Sequence, residues 1–298
     1  MDIALLNNIS PLVRIVKIIK SWVLSGEWID YDNVYTYIEQ GTADFIIGGV
    51  KYTVAEGDAV LIPPFTHHFI NVTSEEPLIQ YIFHFDLHYR QERSHWKRVG
   101  IVHEEQRKKW PEELQLAGLF PVVHLQHSER FDLKRAFLVM HKEFRDKRLG
   151  YELIAKSMTI HLLAIFMRNR QPEEDNEQGK VTKGWAVIKK SIDYIHKHYA
   201  DPNLDNDRIS LESGVSTSHL SFIYKQQLGV TIHSYLVHVR IEQSKRLILH
   251  GNDTLTNISE KVGYASIHQF SKAFKKVAGI TPSRFIATYA KELREADH

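Results

Sequence analysis

Two stretches of this chain carry one pattern. "SGVSTSHLSFIYKQQLGVT" runs from Ser213 to Thr231, and "VGYASIHQFSKAFKKVAGITP" from Val262 to Pro282. Ile209 and Ser210 correspond to Ile258 and Ser259, and Gly214 to Gly263. Beyond the turn, Ser216 corresponds to Ser266, Leu220 to Phe270, Lys225 to Lys275 and Gly229 to Gly279. Each copy reads as helix, glycine turn, helix. The isoleucines are buried anchors, and the small serines after them let two helices approach closely. Gly214 and Gly263 permit a left-handed backbone at the first helix's end. Ser216 and Ser266 are N-caps for the next helix.

The second helix of each copy has two faces. Leu220, Ile223 and Tyr224 in the first copy, and Phe270, Ala273 and Phe274 in the second, lie inward. The opposite face shows Ser218, His219, Ser221 and Phe222 in the first, and Ile267, His268, Gln269, Ser271 and Lys272 in the second. This is the helix-turn-helix pattern, whose second helix enters the DNA major groove. Tyr235, Val239, Ile241/Glu242, Lys245/Arg246 and Leu249 fit one long helix between the copies. It would hold two reading helices to successive major grooves, roughly 34 Å apart. Charge agrees in sign: residues 181–298 hold 16 Lys+Arg and 11 Asp+Glu, against 22 and 25 before them. The whole-chain balance of +2 conceals this.

The rest of the chain differs in kind. From Trp28 to about Asp86, "VYTYIEQG", "DFIIGGVKYTV", "DAVLIPP" and "LIQYIFHFDL" are strand-like runs separated by Gly41, Gly48-Gly49, Gly57-Asp58 and Pro63-Pro64. Short strands with tight turns predict a sandwich or small barrel. From Ser128 to Arg170 the period lengthens. Leu138, His141, Phe144 and Arg145, then Leu153/Ile154, Ser157/Met158, His161/Leu162 and Ile165/Phe166, mark two amphipathic helices meeting at Gly150. "RNRQPEEDNEQGKVTKG", Arg168 to Gly184, is nearly free of apolar residues and reads as a flexible linker. A helix follows it, from Trp185 to Tyr199. The expected division is therefore 1–127, a β-domain; 128–170, a helical pair; 171–184, a linker; and 185–298, a helical domain.

Residues from about Trp185 to Tyr289 resemble the DNA-binding domain of the AraC/XylS family of bacterial transcription regulators. The stretch "RIEQSKRLILHGNDTLTNISEKVGYASIHQFSKAFKKVAGITPSRF" carries the likeness. "YTYIEQGTADFIIGGVKYTVAEGDAVLIPPFTHHF" resembles the cupin-like effector domain often joined to it, through Gly57-Asp58, Pro63-Pro64 and His67-His68. The expected fold class is α+β: a cupin-like N-terminal β-barrel with a helical dimerisation pair, then an all-α domain of two helix-turn-helix motifs joined by a long helix. The resemblance implies a cytoplasmic, ligand-responsive homodimer that is not an enzyme. Its partners would be double-stranded promoter DNA, a small-molecule effector of the sugar class and RNA polymerase, with no membrane. By position, Ser218, Ser221, Phe222, His268, Gln269 and Lys272 correspond to base-facing residues. Lys225, Lys275, Lys276 and Arg284 are candidate phosphate contacts. Gln269 suits adenine, and Lys272 suits guanine or phosphate, whereas the first helix offers no Arg or Gln. Arg240 and Arg246 read as salt-bridge partners within the linker helix.

Sugars favour aromatic platforms flanked by amide, hydroxyl and imidazole groups. Tyr37, Gln40, His68, Tyr81, Phe83 and His84 are the candidate effector contacts. Strand alternation allows only some to face one way: Thr36, Ile38 and Gln40 in one parity, Tyr35, Tyr37 and Glu39 in the other. Core packing competes for each aromatic. Metal-dependent cupins carry His-x-His and Glu on an early strand with a later His. The strand "DNVYTYIEQG" has no histidine, and the chain's 18 histidines make some clustering expected. No metal and no cofactor are expected. The chain has no cysteine, so disulfides and thiolate zinc sites are excluded. "GVSTSHL" is not Gly-x-Ser-x-Gly. The readings in competition are a cupin metalloenzyme with a helical appendage, and a DNA-binding regulator whose β-domain serves only protein contacts. The N-terminal "MDIALLNNISPLVRIVKIIKSWVL" is too charged to span a membrane, and is expected to pack on the protein.

Overall fold

The structure, a computed structural model, describes residues 8–22, 25–91, 111–117, 119–170, 180–250 and 253–288. It divides into two compact units, 1–182 and 183–298.

Unit 1 is built on ten strands: β1 Leu12–Ser21, β2 Ser25–Trp28, β3 Asn33–Gln40, β4 Ala43–Ile47, β5 Val50–Val54, β6 Asp58–Ile62, β7 His68–Val72, β8 Leu78–Asp86, β9 Val122–His124 and β10 Lys180–Val181. They form two antiparallel five-stranded sheets, in the orders β1-β8-β3-β6-β9 and β10-β5-β4-β7-β2. The turns fall where glycine was expected. Gly48, Gly49 and Gly57 all have positive φ, and Asp58 ties the β5–β6 turn by accepting the Ala55 N–H at 2.7 Å.

The middle strands of the first sheet, β3, β6 and β8, carry apolar residues on both faces. Val34, Ile38, Val60, Ile62, Leu78 and Ile82 pack between the sheets against Phe45, Ile47, Tyr52, Val54 and Ile70. On the other face Tyr35, Tyr37, Ala59, Leu61, Phe83 and Phe85 meet the helical pair. That pair is α1, His127–Asp146, and α2, Tyr151–Arg168. Phe137 of α1 stacks on Tyr81 at 4.9 Å, Phe166 of α2 meets Tyr35 edge-on, and Tyr35 stacks on Phe83 at 5.0 Å. Tyr35, Phe83, Phe137 and Phe166 are fully buried, each worth roughly 2–3 kcal/mol from area alone.

The structure corrects three sequence expectations. Of the N-terminal segment, Leu12–Ser21 packs on the protein, as an edge strand: β1 pairs with β8 from Leu12↔Asp86 to Ser21↔Leu78. In α1 the buried stripe is Leu133, Ala136, Phe137 and Met140, so the series through Leu138 and Arg145 was one step out of phase. Leu138 is exposed, with Phe131 and Val139 on α1, as are Leu149 before α2 and Leu153 on it. The interval read as linker is partly ordered: Lys180 and Val181 pair with Lys51 and Val50, and Thr182 is buried. Residues 171–179 lie outside the described residues.

Unit 2 contains α3 Trp185–His198, α4 Asn206–Ser213, α5 Thr217–Ile223, α6 Ile232–His250, α7 Leu255–Lys261 and α8 Ile267–Ala278, with a final helical segment at 282–288. Helix α5 continues as one wider π-turn, Tyr224–Leu228, ended by Gly229 at φ +71°. The nineteen residues of α6 span about 28 Å. No described helix is long and apolar enough to cross a membrane.

Candidate nucleic-acid interface and sensor site

The two repeats fold alike. Ser216 accepts the His219 N–H and Ser266 the Gln269 N–H, each at 3.3 Å, so both second helices begin at a serine cap. Asp205 and Thr254 cap the first helices in the same way. Gly214 has φ +78° and Gly263 φ +83°. Ile209, Ser210, Leu220 and Tyr224 are buried, as are Ile258, Ser259, Phe270 and Phe274. The buried serines return their hydroxyls to their own helix: Ser210 Oγ donates to the Asn206 carbonyl and Ser259 Oγ to that of Thr256.

Burial of one face leaves the other free. Ser218, His268, Gln269 and Lys272 are exposed, and Ser221 is half-buried. Phe222 is 62% exposed, an aromatic ring presented to solvent on a reading helix. His268 and Lys272 stand one turn apart on α8, opposite Phe270 and Phe274. Lys225, Lys275, Lys276 and Arg284 are exposed, Lys225 reaching the Gly229 carbonyl at 3.4 Å.

Arg240 does something other than the salt bridge expected of it. Its Nε donates to the Tyr199 carbonyl at 2.9 Å and an η-nitrogen to that of Asp201 at 2.8 Å, both where the chain leaves α3. The guanidinium also lies 5.5 Å from the centre of the Tyr264 ring, in the turn of the second repeat. A Cβ on Gly263 would stand 2.7 Å from the Tyr199 carbonyl oxygen. Helix α3, the linker helix and the second turn therefore meet at one residue. Burial lowers the Arg240 pKa, with Tyr264 and Asp201 opposing. Arg246 donates to Gln243 at 3.1 Å.

In unit 1 the structure sorts the six candidate effector contacts by strand parity. Tyr37, Tyr81 and Phe83 are on the helix-facing side of the first sheet and are removed as barrel contacts. Burial holds Tyr37 and Tyr81 protonated, pushing Tyr37 up to about 12. Gln40 is also removed. A register shift after Ile38 carries it to the rim, where it donates to Glu76 at 3.0 Å. Glu39 turns toward α1 and takes Lys134 at 2.8 Å.

His68 and His84 remain, and they converge. His84 Nδ1 lies 3.1 Å from Asp32 Oδ1 and 4.0 Å from Asp30 Oδ1. His68 Nε2 is 3.7 Å from Asp30 Oδ2, and its ring stacks near Trp28. Arg14 closes the group, 3.5 Å from both Asp32 and Asp86. Burial raises the Asp30 pKa, partly offset by His84 and His68. For His84 burial pulls downward, but the hydrogen bond and charge of Asp32, with Asp30, outweigh it and the pKa rises. The sequence reading missed Asp30 and Asp32. Their spacing by two was the available signal, obscured because the connection between β2 and β3 has no periodicity to mark it. Asp30, Asp32 and His84 each offer a donor atom within 4.8 Å of the others.

Comparison with known proteins finds both domains. Residues 209–288 match the helix-turn-helix domain family, and residues 30–83 the cupin domain family. The uncharacterized HTH-type transcriptional regulator YisR of Bacillus subtilis is 26% identical over 257 residues, covering 84% of this chain and 83% of its own length. The arabinose operon regulatory protein of Escherichia coli is 25% identical over 241 residues, covering 80% and 75%. The chain pairs a helix-turn-helix domain of the AraC type with a cupin domain, and its relatives are AraC-like regulators. The regulator thus joins a cupin-like ligand domain to a helix-turn-helix DNA-binding domain. Among solved structures, the C-terminal domain of AraT, a response regulator from Geobacillus stearothermophilus, is 32% identical over 34% of this chain and 84% of that one, with a TM-score of 0.33.

Proposed function

We propose that the regulator is a cytoplasmic, non-enzymatic homodimer that reads promoter DNA with α5 and α8. Its reading would be changed by a small molecule between the two sheets. The observation that carries this is the pair of exposed helix faces, each capped by serine and set on a buried aromatic or leucine base. On α8, Gln269 and Lys272 read base edges, with His268 beside them. On α5, Ser218, Ser221 and Phe222 supply shape and thymine-methyl contact. Lys225, Lys275, Lys276 and Arg284 bind phosphates, which sets position and salt dependence. RNA polymerase would be a further contact of the promoter-bound dimer.

Dimerisation is assigned to the helical pair. Phe131, Leu138, Val139, Leu149 and Leu153 form an exposed apolar series on α1, α2 and the turn between them, and a second copy has the same series to offer. The effector site is assigned to the inner face near His68 and His84, with Thr36 and Gln80 buried further along it. Gln80 Nε2 is buried without a hydrogen-bond partner among the described residues, as a ligand-facing amide would be. One relative regulates an arabinose operon, so sugars are the first class to test.

The test is a pair of variants on promoter DNA. Lys272→Ala should weaken binding by about 1–3 kcal/mol and relax preference at one base pair. Lys275→Ala should weaken all sequences alike and lower the salt slope by about one. If both bind as the unaltered protein does, α8 is not the reader.

A further inference from the structure

The polar end of the inter-sheet space is charged in a way that DNA regulation does not require. Asp30, Asp32 and Asp86 are at most 9% exposed at their side chains, and Arg14, 3% exposed, lies 3.5 Å from both Asp32 and Asp86. Asp30 and Asp32 also stand against one imidazole, His84. Burying carboxyl groups together is costly unless cations or protons meet them.

The donor geometry is that of a coordination shell. His84 Nδ1 and one oxygen each of Asp30 and Asp32 lie within 4.8 Å of one another. Donors about 2.1 Å from one ion stand roughly 3.4 Å apart in a tetrahedral shell. The 3.1 Å from His84 to Asp32 and the 4.0 Å to Asp30 lie on either side of that edge. His68, on the other sheet, supplies a fourth side chain at 3.7 Å from Asp30. Asp32 Oδ2, fully buried, accepts no hydrogen bond among the described residues and faces Arg14 at 3.5 Å. Arg14 thereby orients the carboxylate from outside and leaves Oδ1 for an ion, as partners of metal-bound carboxylates do.

We infer that Asp30, Asp32 and His84, with His68 beside them, bind one divalent first-row transition-metal ion in each chain. Mixed imidazole and carboxylate donors suit Zn2+, Co2+ or Mn2+ and give Mg2+ and Ca2+ less. The donor set is not the His-x-His and Glu of metal-dependent cupins. Two aspartates come from the β2–β3 connection, and His84 comes from the middle of β8. The ion ties the β2–β3 connection to both sheets. The inference stands whether or not an organic effector also enters.

The full chain, stripped with EDTA and dialysed, is titrated with Zn2+ by calorimetry, and with Co2+ followed by its visible absorption. The expected result is one ion per chain, with Asp30→Asn and Asp32→Asn each weakening binding at least tenfold. His161→Ala, an exposed histidine on α2, leaves it unchanged. Asp30→Asn is the decisive variant, because Asp30 holds its neighbours only at 3.7–4.0 Å and its loss spares the 3.1 Å His84–Asp32 pair. Far-UV circular dichroism checks that each variant is folded. Less than a fifth of an ion per chain, or equal affinity for the unaltered protein and Asp30→Asn, overturns the inference. Either result would mean that the group is held by its own hydrogen bonds and ion pairs instead.

Discussion

Arg240 is the residue whose removal should say most about how the two reading motifs are held together. Replacing it by methionine keeps the stem and deletes the guanidinium. Two hydrogen bonds from a charged donor, at 2.9 and 2.8 Å, are lost, along with the contact over Tyr264. Bonds to charged groups contribute about 1.5–3 kcal/mol each, and an arginine over an aromatic ring about 0.5–1. The carbonyls of Tyr199 and Asp201 lose these donors. Against this, the methionine no longer requires burial of a charge. A net loss of about 3 kcal/mol follows. Hydrogen–deuterium exchange of the full chain reads it locally. Amides of α6, α7 and α8 that exchange by opening of this unit should do so about a hundredfold faster, while those of unit 1 stay unchanged. Arg240→Lys should fall between, since one ammonium cannot serve both carbonyls in the guanidinium's planar geometry. Acceleration below about twofold in Arg240→Met would refute the claim that this side chain fastens the junction.

Glu113 gives a pH-dependent prediction. Burial raises its pKa to about 7, although its carboxylate accepts the Leu87 and His88 N–H groups at 2.6 and 3.1 Å. The folded state therefore holds a proton that the unfolded state has released, and stability falls as pH rises from about 4.5 to about 7, by roughly 3 kcal/mol. Asp30 and His84 slope the same way, so the measurement is the difference between the unaltered protein and Glu113→Gln in urea unfolding, where the variant's curve should be flatter. Ser266→Ala removes the cap of α8 and should cost about 1 kcal/mol, read as lowered protection of α8 amides. Leu153→Glu combined with Phe131→Glu should convert a dimer of twice 34.7 kDa into a monomer in sedimentation equilibrium, and an unchanged mass would move the dimer contact elsewhere.

The helix-turn-helix pair was legible because its signals are local. A serine cap, a glycine at positive φ and an apolar residue every third or fourth position each act within a turn of the helix they specify. The sheet faces were not legible for a physical reason. Alternation along β3 separates Tyr35 and Tyr37 from Thr36 and Ile38, but both sets are buried, one under α1 and α2 and the other beneath the second sheet. With no polar face, nothing in the strand says which aromatic looks where. The aromatics went to the helices, and the polar site fell to Asp30 and Asp32 in a connection that has no periodicity to read. The strand β1 was missed because Lys17 and Lys20 interrupt "VRIVKIIK". On an edge strand such charges are ordinary, since they discourage pairing with another chain.

The central claim is that this chain recognises a DNA sequence. Fluorescence anisotropy of the full chain on DNA from upstream of its own gene, against a random duplex of equal length across a salt series, tests it most directly. The account predicts binding at least a thousandfold tighter to the upstream DNA, weakening steeply with salt on both duplexes. Equal affinity for the two duplexes at every salt concentration, with and without sugars and Zn2+, would contradict it.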